Sequence, residues 1–144
     1  MILYLDTSAL LKRYIREQYT SEVIEMIEQA DVVGSTVLAR VEMAAAFAKA
    51  VRQNLIQMQD ARTAWSDFLE HWDSFARLPV TPPNLERASH FAWENGLRGY
   101  DAVHCAAAYT WQQAMVFPVT LATFDRGLWQ AAAQNNMTVW PAQL

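Results

Sequence analysis

The chain has 144 residues, 53% of them hydrophobic and 18% charged, with a formal net charge of −4. That length supports one domain with a full core, spanning residues 1–144, and the apolar fraction excludes a disordered chain. The acidic balance argues against nucleic-acid binding through a broad basic surface, so a polyanionic substrate would need bound metal or a local cationic patch to attract it.

Cys105 is the only cysteine, which rules out an intramolecular disulfide and makes a reducing cytoplasm the expected compartment. Its Ala-rich flanks predict a small buried core residue rather than a reactive thiol. No stretch approaches the ~18 consecutive apolar residues of a membrane span, and no basic segment of a signal peptide precedes the first apolar run.

That first run, Ile2 to Leu5, reads as a buried parallel strand ending in Asp6, and Thr7-Ser8 are expected to cap the helix that follows. This helix places Leu10, Leu11, Tyr14 and Ile15 inward and leaves Lys12, Arg13 and Arg16 outside. Thr20-Ser21 predict a second cap, followed by a helix over 22–30 with Val23, Met26, Ile27 and Ala30 on one face. Val32-Val33 form a short strand bounded by Gly34, and Ser35-Thr36 then cap a long helix that carries Glu42 early.

Trp65, Phe68, Leu69 and Trp72 recur at helical spacing between Gln59 and Phe75. They are read as a core-facing or partner-facing stripe, since base-stacking platforms normally sit in a basic groove. Leu78-Pro79-Val80 suggests an edge strand. Pro82-Pro83-Asn84 breaks the chain ahead of a helix over 85–95, which Gly96 closes. Asp101 opens an Ala-rich helix, Val119 to Thr123 is a strand leading to Asp125, a helix covers 126–134, and Thr138 to Trp140 is the last strand. Strands alternating with helices mean an α/β fold whose parallel sheet is covered on both faces.

Asp6 and Asp125 follow strands, while Glu42 and Asp101 lie near the starts of helices that should face the same sheet edge, where ligands bind in open α/β folds. Singly, each acid has a duller reading, and for Asp101 a capping role is the leading one. Together they pose an electrostatic problem. Two like charges ~4–5 Å apart at an effective dielectric of ~20 repel by roughly 3–4 kcal/mol. The nearest cation in sequence is Arg98. A divalent metal is the natural compensator, and all-oxygen ligands suit Mg²⁺ or Mn²⁺.

The ordered set Leu5-Asp6-Thr7-Ser8-Ala9, Ala39-Arg40-Val41-Glu42, Arg98-Gly99-Tyr100-Asp101-Ala102-Val103-His104 and Thr123-Phe124-Asp125 resembles the PIN-domain ribonucleases, specifically the VapC branch of toxins from type II toxin–antitoxin systems. The resemblance spans nearly the whole chain. It implies a three-layer αβα fold with a five-stranded parallel sheet, Mg²⁺- or Mn²⁺-dependent endoribonuclease activity, homodimerisation and a cognate VapB-type antitoxin. On matching positions it makes Asp6, Glu42, Asp101 and Asp125 the catalytic metal ligands, with Ser8 and Thr123 as hydroxyl supports. Where the family often has Asn, this chain has Ser8. Arg98, Lys12, Arg13 and His104 are candidates for substrate contact, with packing beneath the site the competing role for His104. His71 and His90 have no evident chemical neighbours.

Two other readings compete. One is a PIN-like RNA- or protein-binding module without catalysis, although none of the four acids is missing. The other is an aspartyl-phosphate phosphotransfer domain, which the sequence fits poorly. Ser8 stands where a haloacid-dehalogenase-like phosphatase needs its second acid, and the strand leading to Asp125 carries no receiver-type Lys.

Overall fold

The computed structural model describes residues 1–144 and contains five strands and seven helices. In chain order they are β1 (Ile2–Leu5), α1 (Thr7–Leu11), α2 (Thr20–Gln29), β2 (Val32–Thr36), α3 (Ala39–Arg52), α4 (Met58–Trp72), β3 (Ala76–Leu78), α5 (Pro82–Asn95), α6 (Gly99–Ala114), β4 (Val119–Ala122), α7 (Arg126–Gln134) and β5 (Thr138–Trp140). All strand pairs are parallel and the sheet order is β3-β2-β1-β4-β5. β1 is therefore central, and the switch point of this doubly wound sheet lies between β1 and β4, where open α/β sheets form a ligand crevice.

The period-two alternation of β1 divides the core. Ile2 and Tyr4 face a layer built on α5, α6 and α7, including Phe91, Trp111 and Leu128. Leu3 and Leu5 face the layer of α1, α3 and α4, including Met43, Phe47, Phe68 and Trp72. The aromatic stripe of α4 is thus mostly core, with Phe68 and Trp72 buried and Trp65 partly so. No helix is long and apolar enough to cross a membrane.

Several local expectations are corrected. β2 does not stop at Gly34 but runs to Thr36, so Ser35 and Thr36 are strand residues rather than helix caps. Gly34 is needed for a close approach: a Cβ there would lie 2.7 Å from Trp111 Cη2 and 2.8 Å from the Ala76 carbonyl oxygen. Pro82 and Pro83 sit inside the first turn of α5, where a missing N–H has no intrahelical partner to lose, and Thr81 caps that helix by accepting from the Asn84 N–H. Gly96 ends α5 in the left-handed region at φ 64°. The cap position of α2 is Tyr19, and Thr20 lies inside the helix, its hydroxyl accepting from the Glu17 N–H.

α1 is only five residues long, and Lys12 beyond it is buried rather than outward. Its ammonium sits 4.2 Å above the Phe124 ring and 3.2 Å from Glu17. The expected edge strand ends before Pro79, and β3 pairs only with β2.

Two outcomes follow for this packing. Gly34→Ala should destabilise the protein by roughly 1–3 kcal/mol, read as a lower denaturation midpoint at unchanged slope, because the new methyl meets a ring and a backbone carbonyl. Cys105 is fully buried, and burial pushes its thiol up to about 12. It should resist a thiol reagent at pH 8 in the native protein and titrate as one equivalent after unfolding.

Candidate active site

Four acids project at the carboxyl edge of the sheet, each positioned by a different element. Asp6 follows the central strand and is the cap residue of α1, its Oδ1 accepting from the Ala9 N–H at 2.9 Å. The cap is therefore the acid itself, while Thr7 and Ser8 occupy the first turn with their hydroxyls free for other work. Asp125 follows β4 and caps α7 in the same way, accepting from the Leu128 N–H at 2.8 Å. Glu42 lies in the first turn of α3, and Asp101 in the first turn of α6. At both helix starts the exposed amide dipoles favour a negative charge.

Asp6 is the buried member. The Ser8 hydroxyl donates to its two oxygens at 2.8 and 2.9 Å, and the Thr123 hydroxyl donates to Oδ2 at 2.7 Å. Both hydroxyls are themselves polarised by backbone donors: Ser8 accepts from the Phe124 N–H at 2.8 Å and Thr123 from the Asp125 N–H at 3.0 Å. Burial nevertheless outweighs these donors and His104, and raises the Asp6 carboxyl above its ordinary value. The supporting roles expected of Ser8 and Thr123 thus correspond to direct hydrogen bonds.

The remaining acids are paired with Arg98 and His104. Arg98 donates from Nε to Asp101 Oδ2 at 2.8 Å and from its terminal nitrogen to Asp125 Oδ2 at 3.0 Å, bridging the two carboxylates. Its side chain is 79% exposed, so the bridge is open to solvent and to a competing ion. Asp101 therefore does not act as the cap of α6; no side chain caps that helix.

Glu42 Oε1 lies 2.7 Å from His104 Nε2. Burial works to raise the Glu42 carboxyl, but hydrogen bonding and charge attraction from His104, with the Thr7 hydroxyl adding to them, hold it below its ordinary value. Val41 beside it is exposed and Glu42 itself only half-buried, so this acid is open to solvent on one side.

As the carboxylates stand, no three of them converge at metal-ligand spacing. In donor chemistry they still fit a hard divalent cation: the four acids offer only oxygens, the one imidazole among them is hydrogen-bonded to Glu42, and Arg98 shows that positive charge seats between Asp101 and Asp125. A cleft of about 890 Å³ opens beside Glu42, Arg98 and Asp101, with Leu38, Leu85 and Val103 in its walls.

Other candidates are placed elsewhere. Lys12 is engaged with Phe124 and Glu17, and Arg13 with Tyr14 and, at 3.5 Å, His71, on the side of α4. Neither touches an acid of the site. His104 is 1% exposed and cannot meet a substrate. His71 does have a neighbour, Tyr14, whose hydroxyl is 3.1 Å from Nδ1. One site residue escaped sequence reasoning, Tyr4, whereas the Thr7 hydroxyl, expected like that of Ser8 to brace the site as well as cap the helix, lies 3.4 Å from His104 Nε2. The signal for Tyr4 was available, because a phenol in an otherwise aliphatic central strand must find a partner for its hydroxyl.

Residues 3–134 match the family model described as PIN domain. Over 99% of its length the chain is 33% identical to Ribonuclease VapC45 of Mycobacterium tuberculosis (strain CDC 1551 / Oshkosh), covering 97% of that protein. Among solved structures, PAE2754 from Pyrobaculum aerophilum superposes with a TM-score of 0.67 at 23% identity, over 91% of this chain and 79% of that one. A toxin–antitoxin complex from Klebsiella pneumoniae gives a TM-score of 0.63 at 18% identity over 100% of both chains.

The raised Asp6 carboxyl has a measurable consequence. A group whose folded-state value lies above its unfolded one contributes stability that is present at low pH and lost as pH rises through the folded value. In EDTA at neutral pH, Asp6→Asn should therefore melt higher than wild type. Thermal melts across pH should show that advantage shrinking as the solution is acidified.

Proposed function

The chain belongs to the PIN-domain family, and on that premise we propose that it is a divalent-metal-dependent endoribonuclease, the toxin of a type II toxin–antitoxin pair. The observation that carries this reading is the gathering of Asp6, Glu42, Asp101 and Asp125 at one sheet edge with a single exposed guanidinium among them. The reaction is hydrolysis of an RNA phosphodiester, and the 33% identical relative carries the name ribonuclease over nearly its full length.

Asp6, Glu42, Asp101 and Asp125 would hold Mg²⁺ or Mn²⁺. When bound, the metal supplies Lewis-acid charge to the scissile phosphate and activates water for in-line attack. The chain's own groups do the rest. Ser8 and Thr123 hold the Asp6 carboxylate in one orientation, and Asp6 at the central strand is the most rigidly fixed of the ligands. Arg98, largely exposed at the rim, exchanges its carboxylate partners for an RNA phosphate oxygen, which a guanidinium binds well through two donors.

The partners are RNA, a cognate antitoxin and a second copy of the chain, and the setting is cytoplasmic, over one domain of residues 1–144. The antitoxin is supported by the Klebsiella complex of the same fold, and exposed Val41 and Leu85 are apolar side chains available to a homodimer.

Asp6→Asn should abolish metal-dependent RNA cleavage, with a loss of several kcal/mol of transition-state stabilisation, roughly a thousand-fold in rate, while the protein stays folded. Wild-type turnover should stop in excess EDTA. Mg²⁺ or Mn²⁺ at about ten times its Kd should add about 1.4 kcal/mol of stability and raise the melting temperature by roughly 3–6 °C. Full cleavage by the mutant, or in EDTA, would sink the assignment.

A further inference from the structure

Beneath Glu42 lies a polar pair with no evident reason to be buried. Tyr4 is 0% exposed in the central strand, and its hydroxyl is 2.9 Å from His104 Nδ1. The other ring nitrogen, Nε2, is 2.7 Å from Glu42 Oε1 and 3.4 Å from the Thr7 hydroxyl. Tyr4 and His104 meet edge-on, with ring centroids 5.9 Å apart and planes at 82°. The imidazole is thus anchored at both nitrogens by partners on opposite sides. A half-turn of the ring about its Cβ–Cγ bond would put carbon at both positions and break both bonds.

Charge decides which nitrogen carries the proton. An ionised carboxylate only accepts, so a lone pair on Nε2 at 2.7 Å from Glu42 would face another acceptor. Nε2 must therefore be a donor. Nδ1 then presents either a lone pair to the Tyr4 O–H or, in the doubly protonated ring, a proton to the Tyr4 oxygen. A hydroxyl serves both. A Phe at position 4 would serve neither.

We infer that Tyr4 and His104 form a positioning pair, a buried clamp that fixes the Nε2–H toward Glu42 Oε1 and so presents the second carboxylate oxygen, Oε2, as the one available to a metal ion. This rests on the metal-dependent reading above. Glu42 differs here from Asp101 and Asp125, whose partner Arg98 lies at the open surface. Like Asp6, and unlike the two at Arg98, it is aimed from the interior, but by an imidazole rather than by hydroxyls. Partners that hydrogen-bond a ligating carboxylate typically account for 10–100-fold in metal affinity.

The test compares two near-isosteric amides. The amide nitrogen of Gln reaches the place of Nε2, whereas that of Asn reaches the place of Nδ1. Both put a polar amide in the same buried position, and a thermal melt of each metal-free variant reads out separately the extra packing lost with the shorter Asn. Calorimetric titration with Mn²⁺ should show His104→Gln within a few-fold of wild type and His104→Asn weakened by roughly 10–100-fold. Tyr4→Phe should fall between.

In parallel, ¹H–¹⁵N correlation spectra of the metal-free wild type should show the His104 ring protonated at Nε2. A ring protonated at Nδ1 alone would overturn the clamp whatever the titrations show, as would equal Mn²⁺ affinity for the Gln and Asn variants where wild type binds. Wild-type RNA cleavage is measured separately. If wild type binds no Mn²⁺ or cuts no RNA, the nuclease reading fails, while the spectra still decide the orientation of His104.

Discussion

The need to give four carboxylates partners sets the terms on which this sheet edge can exist. Parallel strand order brings Asp6 and Asp125 to neighbouring strand ends, and the helices that start beside them bring Glu42 and Asp101. Two carboxylates brought within ~4–5 Å would repel by roughly 3–4 kcal/mol at an effective dielectric of ~20, and such an approach persists only where something offsets it. The chain answers in three ways, graded by how exposed the partner group is. At the centre, Asp6 is surrounded by neutral donors, two hydroxyls and an amide. Beside it Glu42 is paired with a buried imidazole. At the rim, Asp101 and Asp125 share one exposed guanidinium.

That gradation matches what the site has to do. Neutral donors orient a carboxylate without cancelling its charge, so Asp6 keeps its attraction for a cation at a cost visible in its raised carboxyl. An exposed guanidinium, by contrast, is held weakly enough to leave, because solvent screens the bond it gives up. Stability is stored away from the acids, in the aromatic layer under α4 and the Ala-rich packing of α6 against β1 and β4. The sheet can then tolerate a strained edge.

The layered architecture was legible because it depends on period and order. The apolar run of β1, the helical spacing of Trp65, Phe68 and Trp72, and the Gly96 stop each report a local rule that the tertiary structure did not override. The four acids were legible as an ordered set for the same reason. What was not legible were side-chain partners. Nothing in sequence says that Lys12 turns inward onto Phe124, that Pro82 and Pro83 begin α5 rather than precede it, or that Gly34 makes room for Trp111. The link from Tyr4 through His104 to Glu42 joins residues 100 and 62 positions apart, which only the fold can specify.

The account as a whole turns on whether these carboxylates bind a metal at this edge. Diffraction from crystals grown with Mn²⁺, recorded where manganese scatters anomalously, would locate the ion directly. The account predicts an anomalous peak within ligand distance of Asp6, with Arg98 displaced from Asp101 and Asp125. Saturating Mn²⁺ with no peak at that edge, and the guanidinium still bridging the two acids, would contradict it.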